Sequence, residues 1–402
     1  MNDLNTFLSD AFQYRLKEKA SDQSSNRFEN TLENYYQLFF ESFDNLVSAH
    51  KVKYFDHLPY HSKDTLYDWI DGAYKGLQTK KDEFQEFFSD LIKSYQLFID
   101  GKHYKATIHI FDVLEKYDIA DVISPGELGI FYKGRAKPEG NAKIGEDYFY
   151  HIPFDKRFLI GNQRFSFSGQ PILYIGSSIL DVLYELRHSV DNFNEIAIAS
   201  FAYDQMIENT INKNTQLPFQ KLKIYDVSNH IHNLINGVLN NLIRSGGGIP
   251  KFNDPLYSPN LKDIIRDFKK FILTQICTFK RTHGQTFIEE YIPAQILTEA
   301  LRINGYHGVK FPSTQFDGKD IQTTSILYPS NIQANLALFT SYSCKENYDL
   351  DTMKYFFIKP LDFEISDKKS VDEYNTEYLE LQNEIMKKGH PALQNLRWGF
   401  RQ

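Results

Sequence analysis

The chain has 402 residues, 42% hydrophobic and 24% charged, which is long enough for two or three domains with real cores. Its net charge of −7 argues against a general nucleic-acid binder, and its two cysteines exclude a disulfide framework or a four-cysteine metal site. No uncharged apolar run approaches the ~20 residues of a membrane span, and the opening MNDLNTFLSDAFQYRLKEKA lacks the apolar core of a signal peptide, so a cytoplasmic protein is expected.

Residues 1–25 are polar, run into SDQSSN and are expected to form a flexible leader. From 26 to 118 the apolar period is helical. Leu32, Tyr35, Tyr36, Phe39 and Phe43 share one stripe, and Phe84, Phe87, Phe88, Leu91, Ile92, Tyr95 and Phe98 another. This predicts a helical bundle with nothing catalytic in it, long enough in its stripes to fold alone. Near DVISPGELGIFYKGRAK the period becomes extended, which puts a boundary around residue 120. Short strand-like runs follow, namely GIFYKGR, ILYIG, EIAIAS, LKIYDV, GVKFP and NLALF, with helical DIIRDFKKFILTQICTF and IPAQILTEALRI between them. The predicted class is α+β: an N-terminal helical bundle, a mixed α/β domain over 119–360 and a charged, partly helical tail over 361–402.

One stretch concentrates the signals: RFSFSGQPILYIGSSILDVLYELRH, residues 164–188. Gly169, Gln170 and Pro171 read as a turn and Ile172 to Gly176 as a buried strand. Ser177 or Ser178 then caps a helix with the stripe Ile179, Val182, Leu183 and Leu186. Glu185 lies at the edge of that stripe, either as a solvated flank residue or as a charge held at a pocket wall. In the strand GIFYKGR the period of two puts Lys133 and Arg135 on one face.

FYKGRAK, RFSFSGQPILYIGSSILDVLYEL and EEYIPAQILTEALRINGYHGVKFPST occur in that order. Together with HIPFDKR they resemble the RES domain family over residues 121 to 345, in long versions whose N-terminal domain is of HEPN-like helical type. The resemblance implies a fold similar to ADP-ribosyltransferase toxins, NAD as substrate, and cleavage of the nicotinamide–ribose bond, as in toxin–antitoxin pairs. It places Glu185 on the family glutamate and Ser313 on the family serine, with Ser330 in YPSN as the other candidate. The family arginine falls on Lys133, with Arg135 two residues on, so either supplies the cation for the pyrophosphate. Arg164 either binds phosphate or braces the turn, and Tyr132 and Tyr174 are candidate stacking surfaces.

The implied chemistry needs one carboxylate. Cationic nicotinamide leaves as a neutral molecule, so no acid has to protonate it, and Glu185 would stabilise the oxocarbenium-like charge. No metal is expected. The expected partners are NAD, an antitoxin or regulatory protein and a second copy of the chain. The alternative is a catalytically inactive RES-like domain that binds a nucleotide or a partner. His230-x-His232 lacks a third ligand nearby, SGGGIP lacks the Gly-Lys-Ser/Thr ending of a phosphate loop, and Arg302 to His307 fits Arg-x4-His only across a helix end.

Overall fold

The computed structural model describes residues 2–24, 27–52, 60–122, 130–138, 144–177, 182, 185–186, 195–203, 222–228, 260–281, 287–312, 334–353 and 355–361. The helical stripes form α1 (Leu4–Phe7), α2 (Asp10–Asp22), α3 (Phe28–Asp44), α4 (Ala49–Val52), α5 (Tyr60–Gln78), α6 (Lys81–Ile99) and α7 (His103–Lys116). Each buries the face that its spacing marks: Leu32, Tyr35, Phe39 and Phe43 on α3, and Phe84, Phe87, Phe88 and Leu91 on α6.

The expected flexible leader is instead part of the bundle. Asp3 caps α1 by accepting from Thr6 N at 2.9 Å, and Ser9 caps α2 through Phe12 N at 3.3 Å. Phe7 and Leu8 are fully buried, and the Phe7 ring lies 4.9 Å from that of Phe39. Leu4, Phe12, Leu16 and Ala20 are buried beside them, an apolar stripe spaced through an otherwise polar sequence.

The bundle does not close on itself. Its centre is α8 (Leu261–Cys277), which comes from the second half of the chain. Phe268 lies 4.7 Å from Phe84 and 5.5 Å from Phe43, centroid to centroid, and Phe271 packs on Phe7 and Phe39. Lys269 and Lys270 are buried on α8 and pair with Glu83 and Asp121, each at 2.5 Å. With α9 (Ile292–Ile303), these residues form one continuous apolar core from Leu4 to Phe339. The change of period at residue 120 therefore marks a change of secondary structure within a shared core.

The strand-like runs become β1 (Ile130–Ala136), β2 (Ile172–Gly176), β3 (Ile196–Tyr203), β4 (Ile224–Asp226), β5 (Gly308–Pro312) and β6 (Ala334–Phe339). A seventh strand, β7 (Phe356–Leu361), joins at an edge, where Pro360 is tolerated. The order is β4-β5-β6-β2-β1-β3-β7, and only β4–β5 is parallel. One face carries Ile172, Val309, Phe311, Ala337 and Phe339 into the helical core. The opposite face carries Phe131, Leu173, Ile175, Ala199, Phe201, Leu336 and Leu338, covered in part by Phe149 and Met353. The chain is thus α+β, as expected.

Candidate functional site

The site is built on a clamp formed by two of the motifs. Gly169 has φ +79°, as the predicted turn requires, and its N–H donates to Ile160 O at 3.0 Å. Arg164, on the strand-entry side, is buried. Its Nη1 donates to the carbonyls of Cys277 and Phe279, at 3.0 and 2.8 Å, at the C-terminal end of α8. Its guanidinium lies 4.7 Å from the centre of the Tyr291 ring. Gln295 Nε2 donates to Gln163 O at 2.9 Å and Ser166 O at 3.1 Å. EEYIPAQ therefore clasps RFSFSG, and Arg164 ties that segment to the end of α8. Burial pulls its guanidinium below the ordinary arginine value, opposed by the fields of Tyr291, Cys277, Glu185 and Glu290.

Glu185 lies in a helical turn where Leu186 N donates to Val182 O at 3.0 Å. The turn lies on the helix-covered face of the sheet, directly over Gly134 of β1. A Cβ at Gly134 would meet Val182 Cγ1 at 2.5 Å and Leu186 Cδ1 at 2.9 Å, so only glycine lets the turn seat there. The Glu185 carboxylate is exposed at the rim, and Asn335 Nδ2 donates to its Oε1 at 2.8 Å. Asn335 pairs with Gly176 and Phe311 across the neighbouring strands, which holds its amide on this face. Ser177 Oγ accepts from Ala334 N at 3.2 Å, tying the end of β2 to the start of β6.

The cationic pair does not share this cleft. Lys133 and Arg135 lie on one face of β1 as expected, but with Phe131, on the face opposite Glu185. The alternation that puts Gly134 under the glutamate turn forces its two neighbours away. Arg135 Nη2 donates to Tyr150 O at 2.6 Å, and its guanidinium lies 5.6 Å from the Tyr148 ring centre. Burial, and then the Arg135 charge, push the Lys133 ammonium well below the ordinary lysine value. His151 of HIPFDKR supports this side. Its Nδ1–H donates to Ile152 O at 2.7 Å and its Nε2 accepts from Asp349 N at 2.8 Å, which fixes the neutral tautomer. Burial also lowers its value.

The two candidate stacking rings differ. Tyr132 is fully buried and has no open face for a base. Tyr174 is half-buried on the Glu185 face, with its hydroxyl 3.4 Å from Ser166 Oγ, and burial raises its phenol above the ordinary value. Ser313, Ser330, His230, His232 and SGGGIP lie outside the described residues. Arg302 and His307 do structural work: Arg302 Nη2 donates to Thr340 O at 3.0 Å, and His307 Nδ1 accepts from Lys223 N at 3.0 Å. No cluster of His, Cys, Asp or Glu among the described residues could hold a metal. A cavity of about 650 Å³ beside α6, α7 and α9 is lined by Phe98, His103, Phe167, Phe287 and Glu299, and by none of the predicted site residues.

Sequence reasoning missed Asn335, Gly134 and the Tyr291–Gln295 half of the clamp. A signal existed for Asn335, since it is the polar residue in the apolar strand ANLALF. None existed for Gly134, because a glycine between two cations in a strand reads as a weak strand residue.

No family model matches the chain, and no solved structure does. Over 120 residues it is 29% identical to the protein named "Putative toxin YopC" of Bacillus subtilis (strain 168). The match covers 27% of this chain and 26% of that protein, so this chain spans about a quarter of the length of the relative that it matches.

Proposed function

We propose that this protein consumes NAD by cleaving the bond between nicotinamide and ribose, and acts as a toxin or defence effector restrained by a partner. The observation that carries the reading is Glu185, a carboxylate exposed at the rim of the sheet and held at 2.8 Å by a buried amide. A single oriented carboxylate is what departure of a cationic leaving group requires. The ordered RES-type motifs support the substrate, and the similarity to a toxin supports the biological role. Phosphate, water and a protein side chain can all attack the same carbon, so the acceptor is open among phosphorolysis, hydrolysis and ADP-ribosyl transfer.

In this reading Glu185 hydrogen-bonds the ribose hydroxyls and offsets the developing charge, while Tyr174 lines the same face. Lys133 and Arg135 lie on the other face, where Arg135 braces β1 against residues 148–150, and in this reading neither touches the pyrophosphate. That displacement is also what favours the second reading, an inactive RES-like domain that binds a nucleotide or a partner. Incubation of the purified chain with NAD, with and without inorganic phosphate, followed by NMR of the products, separates the two. The first reading expects free nicotinamide, and Glu185→Gln is expected to lower its release at least ~100-fold while leaving the fold intact. Intact NAD under both conditions, at micromolar protein, would reject the enzyme.

A further inference from the structure

We infer that Asn335 is the positioning residue of the site, acting on the reaction only through Glu185. The inference rests on the reading of Glu185 as the charge-stabilising carboxylate. Asn335 is 4% exposed, in a strand whose other residues are Ala334, Leu336, Ala337, Leu338 and Phe339. A primary amide in such a place costs a few kcal/mol unless it is hydrogen-bonded, so its presence in the strand calls for a partner. The partner is Glu185 Oε1 at 2.8 Å. A carboxylate only accepts, so the amide must present Nδ2 to it, and this fixes the orientation of the whole group.

The two residues come from different parts of the sheet. Glu185 arrives on helical backbone seated over β1, and Asn335 is rooted in β6, two strands away in the order β6-β2-β1. Gly176 of β2 is the residue directly paired with Asn335, and it also pairs with Tyr132 of β1. Asn335 therefore reaches Glu185 across a row that holds no side chain at β2. A hydrogen bond from a rigid central strand narrows the rotamers open to a long, flexible glutamate. Ser177, the next residue along, ties β2 to β6 at the same level.

The test uses full-length protein, NAD cleavage kinetics and thermal unfolding of five variants. Asn335→Leu keeps the approximate volume and removes the donor. It is expected to lower kcat ~10- to 100-fold with KM within about twofold, since orientation is lost and binding is not. Glu185→Gln combined with Asn335→Leu is expected to be no slower than Glu185→Gln alone. Glu185→Gln combined with Asn335→Asp exchanges donor and acceptor. It is expected to recover the Tm lost in Asn335→Asp while staying as slow as Glu185→Gln, which confirms the hydrogen-bonded pair; the positioning role itself is read from the kcat-against-KM split of Asn335→Leu and from its lack of effect in the Glu185→Gln background. If Asn335→Leu keeps full kcat in an active, folded enzyme, or slows the Glu185→Gln background further, the positioning role is overturned and the reaction stands. If the wild type leaves NAD intact, the reaction falls and the role falls with it.

Discussion

Gly134→Ala is the most economical perturbation of the site, because it adds one methyl group at the contact that seats the glutamate turn. The new Cβ would lie 2.5 Å from Val182 Cγ1, 2.9 Å from Leu186 Cδ1 and 3.2 Å from Ile196 Cγ2. Ordinary carbon contacts sit at about 3.5–4.0 Å, so the turn must lift by about 1 Å. Val182 is β-branched and buried, with little rotamer freedom to yield instead. Overpacking of this kind costs about 1–3 kcal/mol. If a chain of this length unfolds as one unit, that is a Tm decrease of only about 1–4 °C. The functional cost should be larger than the thermal one. A displacement of about 1 Å carries Glu185 away from Asn335 and is worth about 100-fold in rate.

The assay is nicotinamide release under saturating NAD, with Tm measured on the same preparations. The double variant Gly134→Ala with Val182→Ala serves as the control. It returns the lost space and should recover most of the rate, although it leaves a smaller side chain in the core. A folded Gly134→Ala enzyme with unchanged rate and unchanged Tm would refute the seating argument, since the three contacts cannot all be absorbed without movement. A lowered rate that Val182→Ala does not rescue would place the glycine's role elsewhere.

Arg164→Met removes both bonds to the Cys277 and Phe279 carbonyls and the contact with Tyr291. It should cost about 3 kcal/mol of stability, read as a lowered urea midpoint; an unchanged midpoint would mean that Arg164 is not the brace. Lys133→Met should leave NAD cleavage within a few-fold of wild type and raise stability at neutral pH. The folded-state value of Lys133 lies below its unfolded value, so the folded chain holds fewer protons between the two and wild-type stability rises with pH there. The advantage of the variant should therefore shrink toward pH ~10.4, and a variant less stable than wild type at every pH would contradict the burial of the ammonium. A fragment of residues 26–118 should be poorly folded by circular dichroism and bind ANS, because Phe39, Phe43 and Phe84 lose Phe268 and Phe271 of α8; a cooperative, helical fragment would show that the bundle closes without α8.

The elements were legible because their periods are strong. ILYIG and GVKFP give β2 and β5 to the residue, and the two long apolar helices give α8 and α9. What period cannot report is which helices share a core. α8 is buried on nearly all sides, Lys269 and Lys270 included, and a helix of that kind belongs at the centre of a bundle, here one whose other members lie more than 140 residues earlier. The faces of β1 were also legible, but only relative to one another. The period of two groups Lys133 with Arg135; it does not say which side of the sheet the glutamate turn will cover. That was decided by Gly134, the one position in the strand where a helical turn can approach the backbone.

The shared core has a consequence for how the site is held. Glu289 opens the EEYIPAQ segment, and its Oε2 accepts from Phe28 N at 3.2 Å, at the start of α3, and from Tyr95 OH at 3.0 Å, on α6. A carboxylate at a helix N-terminus satisfies an otherwise orphaned N–H and complements the helix dipole. The next residues of the same 3₁₀ turn reach the other way. Tyr291 lies under Arg164, and Glu290 acts on Arg164 through its charge. The three consecutive residues Glu289, Glu290 and Tyr291 thus join the helical bundle to the clamp behind Glu185. The helical half is thus tied, through Glu289, to the segment that holds Arg164, so a change at the start of α3 or on α6 is transmitted to the clamp through one 3₁₀ turn.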